Sequence, residues 1–594
     1  MPSKTKYRTH MCTELTEENI GSTATLCGWV QRRRDLGGVI FIHLRDRSGI
    51  MQLVVDSTKQ ASLFPVADSL RNEYVVQVEG VLKARDPENY NDKIPTGRIE
   101  LVLASINVLD TSLTPPIYVD ETDNSKESVR LENRFLDLRK ESAQAVLVKR
   151  HQAAMAAREF LEAGGFIEVE TPILTRPTPE GARDFLVPSR VQQGLFFALP
   201  QSPQLFKQIL MISGFDRYYQ LARCFRDEDL RHDRQPEFTQ IDIEMSFVDE
   251  DDIMDMAEQM VAHIFEKTQT ATIQLPIPKM TYQEAMRRFG SDKPDLRFGL
   301  ELVDLTELFK SSEFKIFASA AQAGSVRAVN ATGAQGKISR KELDSLVDFV
   351  KVYGAKGLSW IIYEEEGPRS PIAKFLTEEE MAQIASYIGA KTGDIAFIVA
   401  DKDEVVCNSL GQLRLRLAKL MEIEMEEGFR FLWVTDFPMF EYDDEDERYY
   451  AVHHPFTSPK DEIAASLESN PAAAIAKAYD LVVNGYELGG GSIRIHNKEV
   501  QQSVFNVLGI DAENAQNKFG FLLGALQYGT PPHGGVAFGF DRLVMMLTGT
   551  DNIRDVIAFP KTQNHSCLLT KAPGEPDYND LANLGITVMA KPQA

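Results

Sequence analysis

Residues 238–247, FTQIDIEMSF, alternate without a break. In an extended chain Thr239, Ile241, Ile243, Met245 and Phe247 fall on one face, and Gln240, Asp242, Glu244 and Ser246 on the other. Such a run demands a sheet with one apolar face, and two carboxylates on its opposite face are costly inside a sheet unless something binds there. The stretch before it, CFRDEDLRHDRQPE, predicts a partner strand with Arg226 and Glu228 on one face and a loop carrying Arg231, His232 and Arg234. The hairpin therefore reads as two strands holding a small polar ligand under a basic loop, or as an exposed hairpin laced with ion pairs.

Three further stretches carry candidate chemistry. In LPQSPQLFKQILMISG, Ser202 is placed as an N-cap, Pro203 at the first helical position and Gly214 at the stop. Gln204 and Lys207 then share a face near the helix start, where a lysine is as readily a solvated residue as a ligand. In NGYELGGGSIRIH, Glu487 and Arg494 stand an odd number of residues apart, so a regular strand sends them to opposite faces. The run Gly489–Gly491 can break that regularity and admit a ligand. A carboxylate such as Glu487 suits Mg²⁺ in a phosphate site. In PPHGGVAFGFDRLVMMLTG, Arg542 falls near the start of an apolar helix, where it can meet phosphate or simply pair with Asp541. No Walker A or GxGxxG fingerprint occurs.

At 594 residues the chain exceeds one hydrophobic core. No apolar run reaches the ~20 residues of a bilayer span, and the N-terminus lacks an apolar signal core, so a cytoplasmic address is expected. Five scattered cysteines form no metal or disulfide pattern. The net charge is −23, yet residues 1–110 hold 14 basic and 14 acidic residues, which makes this neutral segment the favoured one for contact with nucleic acid. Its five predicted strands, at 23–33, 39–46, 50–56, 74–85 and 98–110, with a helix over 60–70, suggest a Greek-key OB barrel. Arg32, Arg33, Arg34 and Phe41 lie around strands one and two; Phe41 is either a base-stacking platform or part of the core. A polar hinge follows over 111–140, then a long helix from Ser142. Residues 290–420 look like an inserted module with many helices and one strand candidate, DIAFIVAD. The acidic run 441–447 reads as a hairpin tip.

Together these motifs resemble the class II aminoacyl-tRNA synthetases, and along nearly the whole chain their bacterial aspartyl type. GFIEVETP, with Pro172, is similar to the family's motif 1, FRDE with RQPEFTQIDIE to motif 2, and GFDR to motif 3, in the right order. TPEGARDF, QSPQLFKQ, VHHPFT and GYELGGGSIRIH point to the aspartyl subgroup, and the insert resembles the GAD domain. The resemblance implies a multidomain α+β fold. Its parts are an OB-fold barrel for the anticodon (1–110), a hinge (111–140), a mostly antiparallel catalytic sheet with helices (141–289 and 421–560), an inserted α/β GAD-like domain (290–420) and a C-terminal extension (561–594). It also implies a homodimer through motif 1, ATP and Mg²⁺, L-aspartate and tRNA(Asp) as partners, and neither membrane nor DNA.

Carried over residue by residue, the resemblance gives Lys207 and Arg494 the aspartate side-chain carboxylate. Gln204, Ser202 and Asp242 surround its ammonium, while Glu180 and His453 close over it. Arg226 would hold the α-phosphate and the attacking carboxylate, and Phe238 would stack on adenine. Gln235, Asp227 and Glu228 would orient the nucleotide, Arg542 would bind the γ-phosphate with Gly539, Phe540 and Asp541 also in the ATP site, and Asp480 with Glu487 would hold Mg²⁺. An asparagine ligand would leave Lys207 and Arg494 buried without their anion. In the barrel, Arg34, Phe41, Gln52 and Glu100 match anticodon-reading positions. Leu36 matches enzymes restricted to tRNA(Asp), whereas Glu88 stands where such enzymes would carry lysine, so charging of tRNA(Asn) as well is the alternative. The rival families are the asparaginyl and lysyl enzymes, which lack the insert, and a non-catalytic paralogue, which would lose Arg226 or Arg542.

Overall fold

The computed structural model describes residues 4–177 and 181–589. The chain divides into two compact units, one of Met1–His151, Asp229–Gln235 and Thr548–Asp577, the other of Gln152–Glu228, Pro236–Leu547 and Tyr578–Ala594.

The first unit contains a closed barrel of β1 (Thr23–Leu36), β2 (Val39–Asp46), β3 (Gly49–Asp56), β4 (Val75–Ala84) and β5 (Ile99–Asp110), ordered β1-β2-β3-β5-β4. The predicted strands and their order hold. Period-2 alternation explains why: Leu26 and Val30, Ile40, Ile42 and Leu44, Leu53 and Val55, and Val76 and Val78 all reach one core. The helix between β3 and β4 is shorter than expected, Phe64–Ser69. Gln60 instead ties the turn down, accepting from Asp56 N at 2.7 Å and donating to Leu103 O at 2.6 Å.

Residues 111–140 are better packed than a polar hinge would be. Ile117, Val119 and Leu136 make a small core of their own. Lys140 is buried between Asp123 (2.9 Å) and Asp137 (3.0 Å). Arg139 lies over the Trp29 ring and reaches Glu73 at 2.7 Å, and Glu73 also holds Arg45 at 2.8 Å.

The second unit is built on an eight-stranded sheet of β6 (Ile167–Glu168), β7 (Arg217–Phe225), β8 (Glu237–Ser246), β9 (Lys279–Thr281), β10 (Phe431–Thr435), β11 (Ala478–Val483), β12 (Tyr486–Ile493) and β13 (His533–Gly539). Its order is β9-β10-β11-β12-β13-β8-β7-β6, and only the two edge pairs are parallel. Helix Glu250–Lys267 packs on one face, against β11 and β13, and is capped by Asp249. Helix Gln204–Ile212 packs on β8 and β7.

The insert holds more β-structure than its sequence suggested. Leu302–Asp304, Ser325–Ala331, Ile395–Asp401, Ser359–Glu364 and Gly367–Arg369 form a five-stranded sheet in that spatial order. Only the 395–401 strand was expected. The others were hidden because both faces are covered: Val329, Phe397 and Trp360 enter one core, while Val326, Ala328, Ile361 and Ile398 enter a second. A strand buried on both sides has no polar alternation to display. The acidic 441–447 run is a hairpin tip as expected, between Phe440–Asp443 and Arg448–Ala451. Among the described residues no helix is long and apolar enough to cross a membrane.

Glu73→Ala would leave Arg45, 8% exposed, without its carboxylate. A loss of about 3–5 kcal/mol is expected, read as a lowered denaturation midpoint of the barrel, whereas Glu79→Ala on the exposed surface should change it little.

Candidate active site

One face of the large sheet carries the chemistry. Along β8, Phe238, Gln240, Asp242 and Glu244 point the same way, opposite Ile241 and Ile243. Across from Gln240, Asp242 and Glu244 stand Gly539, Ala537 and Gly535 of β13, and beyond these Gly490 and Ser492 of β12. Small residues thus make the floor and charged ones the walls. A Cβ at Gly535 would strike the Glu244 carboxylate, and one at Gly490 the Asp480 carboxylate. The glycines of 489–491 therefore make room for side chains of neighbouring strands, Phe538, Asp480 and Tyr479, rather than only for a ligand.

The two carboxylates of β8 are held by the chain's own cations. Lys207 Nζ is 2.6 Å from Asp242 Oδ1 and 3.3 Å from Glu244 Oε2. Arg494 clasps Glu244 through Nε (2.8 Å) and Nη2 (2.9 Å), and its Nη1 meets Ser492 Oγ (2.6 Å) and His454 Nε2 (2.8 Å). All four charges are buried, none more than 2% exposed. Burial alone would raise Glu244, but Arg494 and Lys207 outweigh it and hold the carboxyl at about 2. Asp242 shares only Lys207 closely, and burial keeps it raised. Its Oδ2 has no hydrogen-bond partner among the described residues, nor has Gln204 Nε2. An acceptor and a donor are thus left open beside the cations. His454 is driven well below its ordinary range by burial and by Arg494, so it stays neutral.

This arrangement changes two expectations. Lys207 is buried at the helix start, not solvated, and the helix begins at Gln204 with Pro203 as its N-cap; Ser202 Oγ accepts from Gln204 N at 3.3 Å. Nor would an uncharged ligand leave Lys207 and Arg494 unpaired, because each already faces an internal carboxylate. Of the five N–H donors of Arg494, three are committed to Glu244 and Ser492, so selectivity for an anion rests on what remains.

At the other end of the β8 row, the Arg226 guanidinium lies over the Phe238 ring, 5.0 Å from its centroid. Asp227 is 3.8 Å from Arg183 and takes its main-chain bridge. Glu228 follows Asp227 directly, two residues after Arg226. Gln235, in the other unit, donates to Lys561 O (2.9 Å) and accepts from Lys561 N (2.7 Å). Arg542 sits in the first turn of helix Phe540–Thr548 and donates to the main-chain oxygen of Glu487. Phe540 and Asp541 are each 2% exposed, and Asp541 accepts from Thr239 N at 2.7 Å, tying this helix to β8. Glu180 lies outside the described residues.

A bulge solves the parity problem of β12. Leu481 pairs with Gly489 but Val482 with Glu487, so Leu488 is the extra residue. Glu487 thereby turns to the same face as Gly490, Ser492 and Arg494. Asp480 and Glu487 flank Gly490, and burial, Glu487 and Asp292 push the Asp480 carboxyl up. His453 Nε2 is 3.7 Å from Asp480 Oδ1. His454, Ser492 and Lys293, which is 3.5 Å from Glu487, were missed in the sequence, and Glu244 was read there as a polar-face carboxylate without a role of its own. Only Glu244, by its place in the alternating run, carried a signal there.

In the barrel, Arg34, Leu36, Phe41, Gln52 and Glu100 line one groove of about 390 Å³. Phe41 is on the outer surface, between core residues Ile40 and Ile42, so it is not part of the core. Gln52 donates to Glu100 at 2.9 Å. Arg85, 5% exposed, also lines the groove, and its Nη2 has no partner among the described residues. Glu88 lies in the turn Pro87–Asn89, whose Asn89 reaches the groove.

Because the Glu244 carboxyl sits below its ordinary 4.5 in the folded chain, its contribution is fully present above about pH 4.5 and is lost as pH falls towards 2. Glu244→Gln should therefore be less stable at pH 7, by about 3–5 kcal/mol, and the gap to the parent should close over that acid range. Urea unfolding at a series of pH values checks this; a gap independent of pH would contradict it.

The family model for tRNA synthetases class II (D, K and N) matches residues 126–563, and that for an OB-fold nucleic acid binding domain matches residues 24–109. The aspartate–tRNA(Asp/Asn) ligase of Caldanaerobacter subterraneus subsp. tengcongensis is 54% identical over 582 residues, 98% of each chain. The aspartate–tRNA ligase of Halalkalibacterium halodurans is 54% identical over 583 residues, again 98% of each. In three dimensions the asparaginyl-tRNA synthetase from Pyrococcus horikoshii complexed with asparaginyl-adenylate shares the fold, with a TM-score of 0.57 and 21% identity over 93% of this chain and 98% of that one. With its barrel and its mainly antiparallel sheet, the chain belongs to the class II tRNA synthetases and, among them, to the bacterial aspartate–tRNA ligases.

Proposed function

We propose that this chain joins L-aspartate to tRNA(Asp) in two steps at the face formed by β8, β13, β12 and β11. The observation that carries the reading is the buried set Lys207, Arg494, Asp242 and Glu244, with Asp242 Oδ2 and Gln204 Nε2 left open beside it. A ligand with one ammonium and two carboxylates matches that set: its ammonium meets Asp242 Oδ2, with Ser202 and Gln204 near, and its side-chain carboxylate meets Lys207 and Arg494. His453, with Glu180 outside the described residues, closes over it.

In the first step a carboxylate oxygen of aspartate attacks the α-phosphorus of ATP, the bond to the β-phosphate oxygen breaks, and pyrophosphate leaves. Arg226 bridges the attacking carboxylate and the α-phosphate, so its guanidinium must leave the Phe238 ring, which then stacks on adenine. Arg542 neutralises the far phosphates, held in place by Asp541 through Thr239. Gly539 and Phe540 give the helix its start beside them; Asp227 and Glu228 orient the nucleotide. Asp480 and Glu487 fit Mg²⁺, since they offer hard oxygens in a place where negative charge is in excess. When bound, that ion would neutralise charge on the triphosphate and on the departing pyrophosphate. In the second step the terminal ribose hydroxyl of tRNA attacks the aspartyl carbonyl and AMP leaves. No side chain forms a covalent bond; positioning and charge neutralisation supply the rate.

The barrel groove takes the anticodon, with Phe41 stacking on a base and Arg34, Gln52 and Glu100 reading edges. Leu36, 64% exposed in the groove, favours restriction to tRNA(Asp). The second reading, that tRNA(Asn) is charged too, is supported by relatives named for both, and Glu88 leaves it open. Met155, Ile167, Ile173 and Leu174 are each about half exposed on the long helix and motif 1, which supports a homodimer through that apolar surface.

Arg542→Ala should reduce aspartate-dependent pyrophosphate exchange at least a hundredfold while leaving tRNA binding intact; retained exchange would refute its role. Phe41→Ala should raise the KM for tRNA about tenfold and leave exchange unchanged. Charging assays with both tRNA transcripts decide the rest: charging of tRNA(Asp) alone supports Leu36 as the discriminating residue, and charging of neither overturns the proposal.

A further inference from the structure

Lys293 belongs to the segment 290–299 that leads into the inserted sheet. Its ammonium is 3.5 Å from Glu487 Oε2 and 3.5 Å from Asp292 Oδ2. The segment is held firmly. Arg414, 2% exposed, donates to the main-chain oxygens of Asp295 (2.8 Å), Phe298 (2.7 Å) and Gly299 (3.1 Å), and its guanidinium lies 3.9 Å from the Phe298 ring centroid. At the turn into β12, Gly485 leaves room for Asp295, whose Cβ would stand 3.2 Å from a Cβ there. Lys293 is thus delivered to Glu487 by a built scaffold, while its own side chain is 43% exposed and has space to swing. The Glu487 carbonyl receives Arg542. Two cations from distant parts of the chain therefore converge on the residue proposed to hold Mg²⁺.

We infer that Lys293 is a phosphate-handling residue, which fills the cation place beside Glu487 when no nucleotide is bound and passes to the pyrophosphate half of the triphosphate when metal and ATP enter. The inference rests on the reading of this face as an ATP site. A divalent cation at Asp480 and Glu487 repels the ammonium, and the polyphosphate brought with it is the nearest new anion. Lysine suits the task, being a compact charge on a flexible stem rather than a fixed fork. Return of Lys293 to Glu487 then accompanies departure of pyrophosphate with its metal.

The full-length Lys293→Met protein tests this by two equilibrium titrations, Mn²⁺ alone followed by its spin resonance, and inorganic pyrophosphate with Mg²⁺. Loss of the competing ammonium should tighten Mn²⁺ binding about tenfold, and loss of the phosphate contact should weaken pyrophosphate binding about tenfold. Lys293→Arg should bring pyrophosphate affinity back to within about threefold of the parent. Parent-like values for both titrations in Lys293→Met would overturn the inference, reducing the contact to a surface ion pair. So would weakening of both ligands together, which marks a disturbed site. If the parent protein itself fails to exchange pyrophosphate with aspartate, the functional reading fails first; if the parent exchanges and Lys293→Met binds as it does, only this inference fails.

Discussion

Four buried charges set the terms for the large sheet. Asp242 and Glu244 on β8, Lys207 on a helix and Arg494 after β12 sum to zero, and none of the four is tolerable alone at that depth. The helix must therefore dock on β8, and β12 must stay in register across β13, before any of them is stable. Such a set adds less to stability than an apolar core of equal volume. Its value lies in orientation, since each charged group is held by the next and a polar ligand meets a face that is already arranged. The cost of ordering is met at folding rather than at binding.

Much of this was legible in the alternation of residues. Period 2 placed the barrel strands and the faces of β8, because in each case one side meets a core and the other does not. It failed in the insert, where Val326, Ile361 and Ile398 are backed by Val329, Trp360 and Phe397 on the opposite face, and a strand apolar on both sides cannot be told from a buried helix by pattern alone. The partners of the β8 carboxylates were not legible as pairs. Arg494 and Glu244 are 250 residues apart, and only the folded sheet shows that the cations assigned to a ligand are first partners of the protein's own anions. His454 and Lys293 had no local signal, since their meaning comes from elements packed against them.

The insert is also less separate from the sheet than a module boundary implies. Arg414, on its last long helix, is spent on the main chain of residues 295–299 at its entrance. A guanidinium buried between Phe289 and Phe298, with three carbonyls as acceptors, ties the insert's exit to its entry. Motion of the insert as a body would have to carry the 290–299 segment along, and that segment borders the carboxylates of β11 and β12.

The bulge at Leu488 has a consequence for how such a chain can vary. Were β11 and β12 to pair without the bulge at their present length, Leu488 would stand opposite Val482 and Glu487 would turn to the opposite side of the sheet from Ser492 and Arg494, whereas removal of residue 488 would restore a regular ladder with Glu487 still on their side. Length and bulge at this point are thus tied together: with residue 488 present the bulge has to form, and a chain that ironed it out at full length would be a well-folded molecule with its reacting groups on opposite sides of a wall.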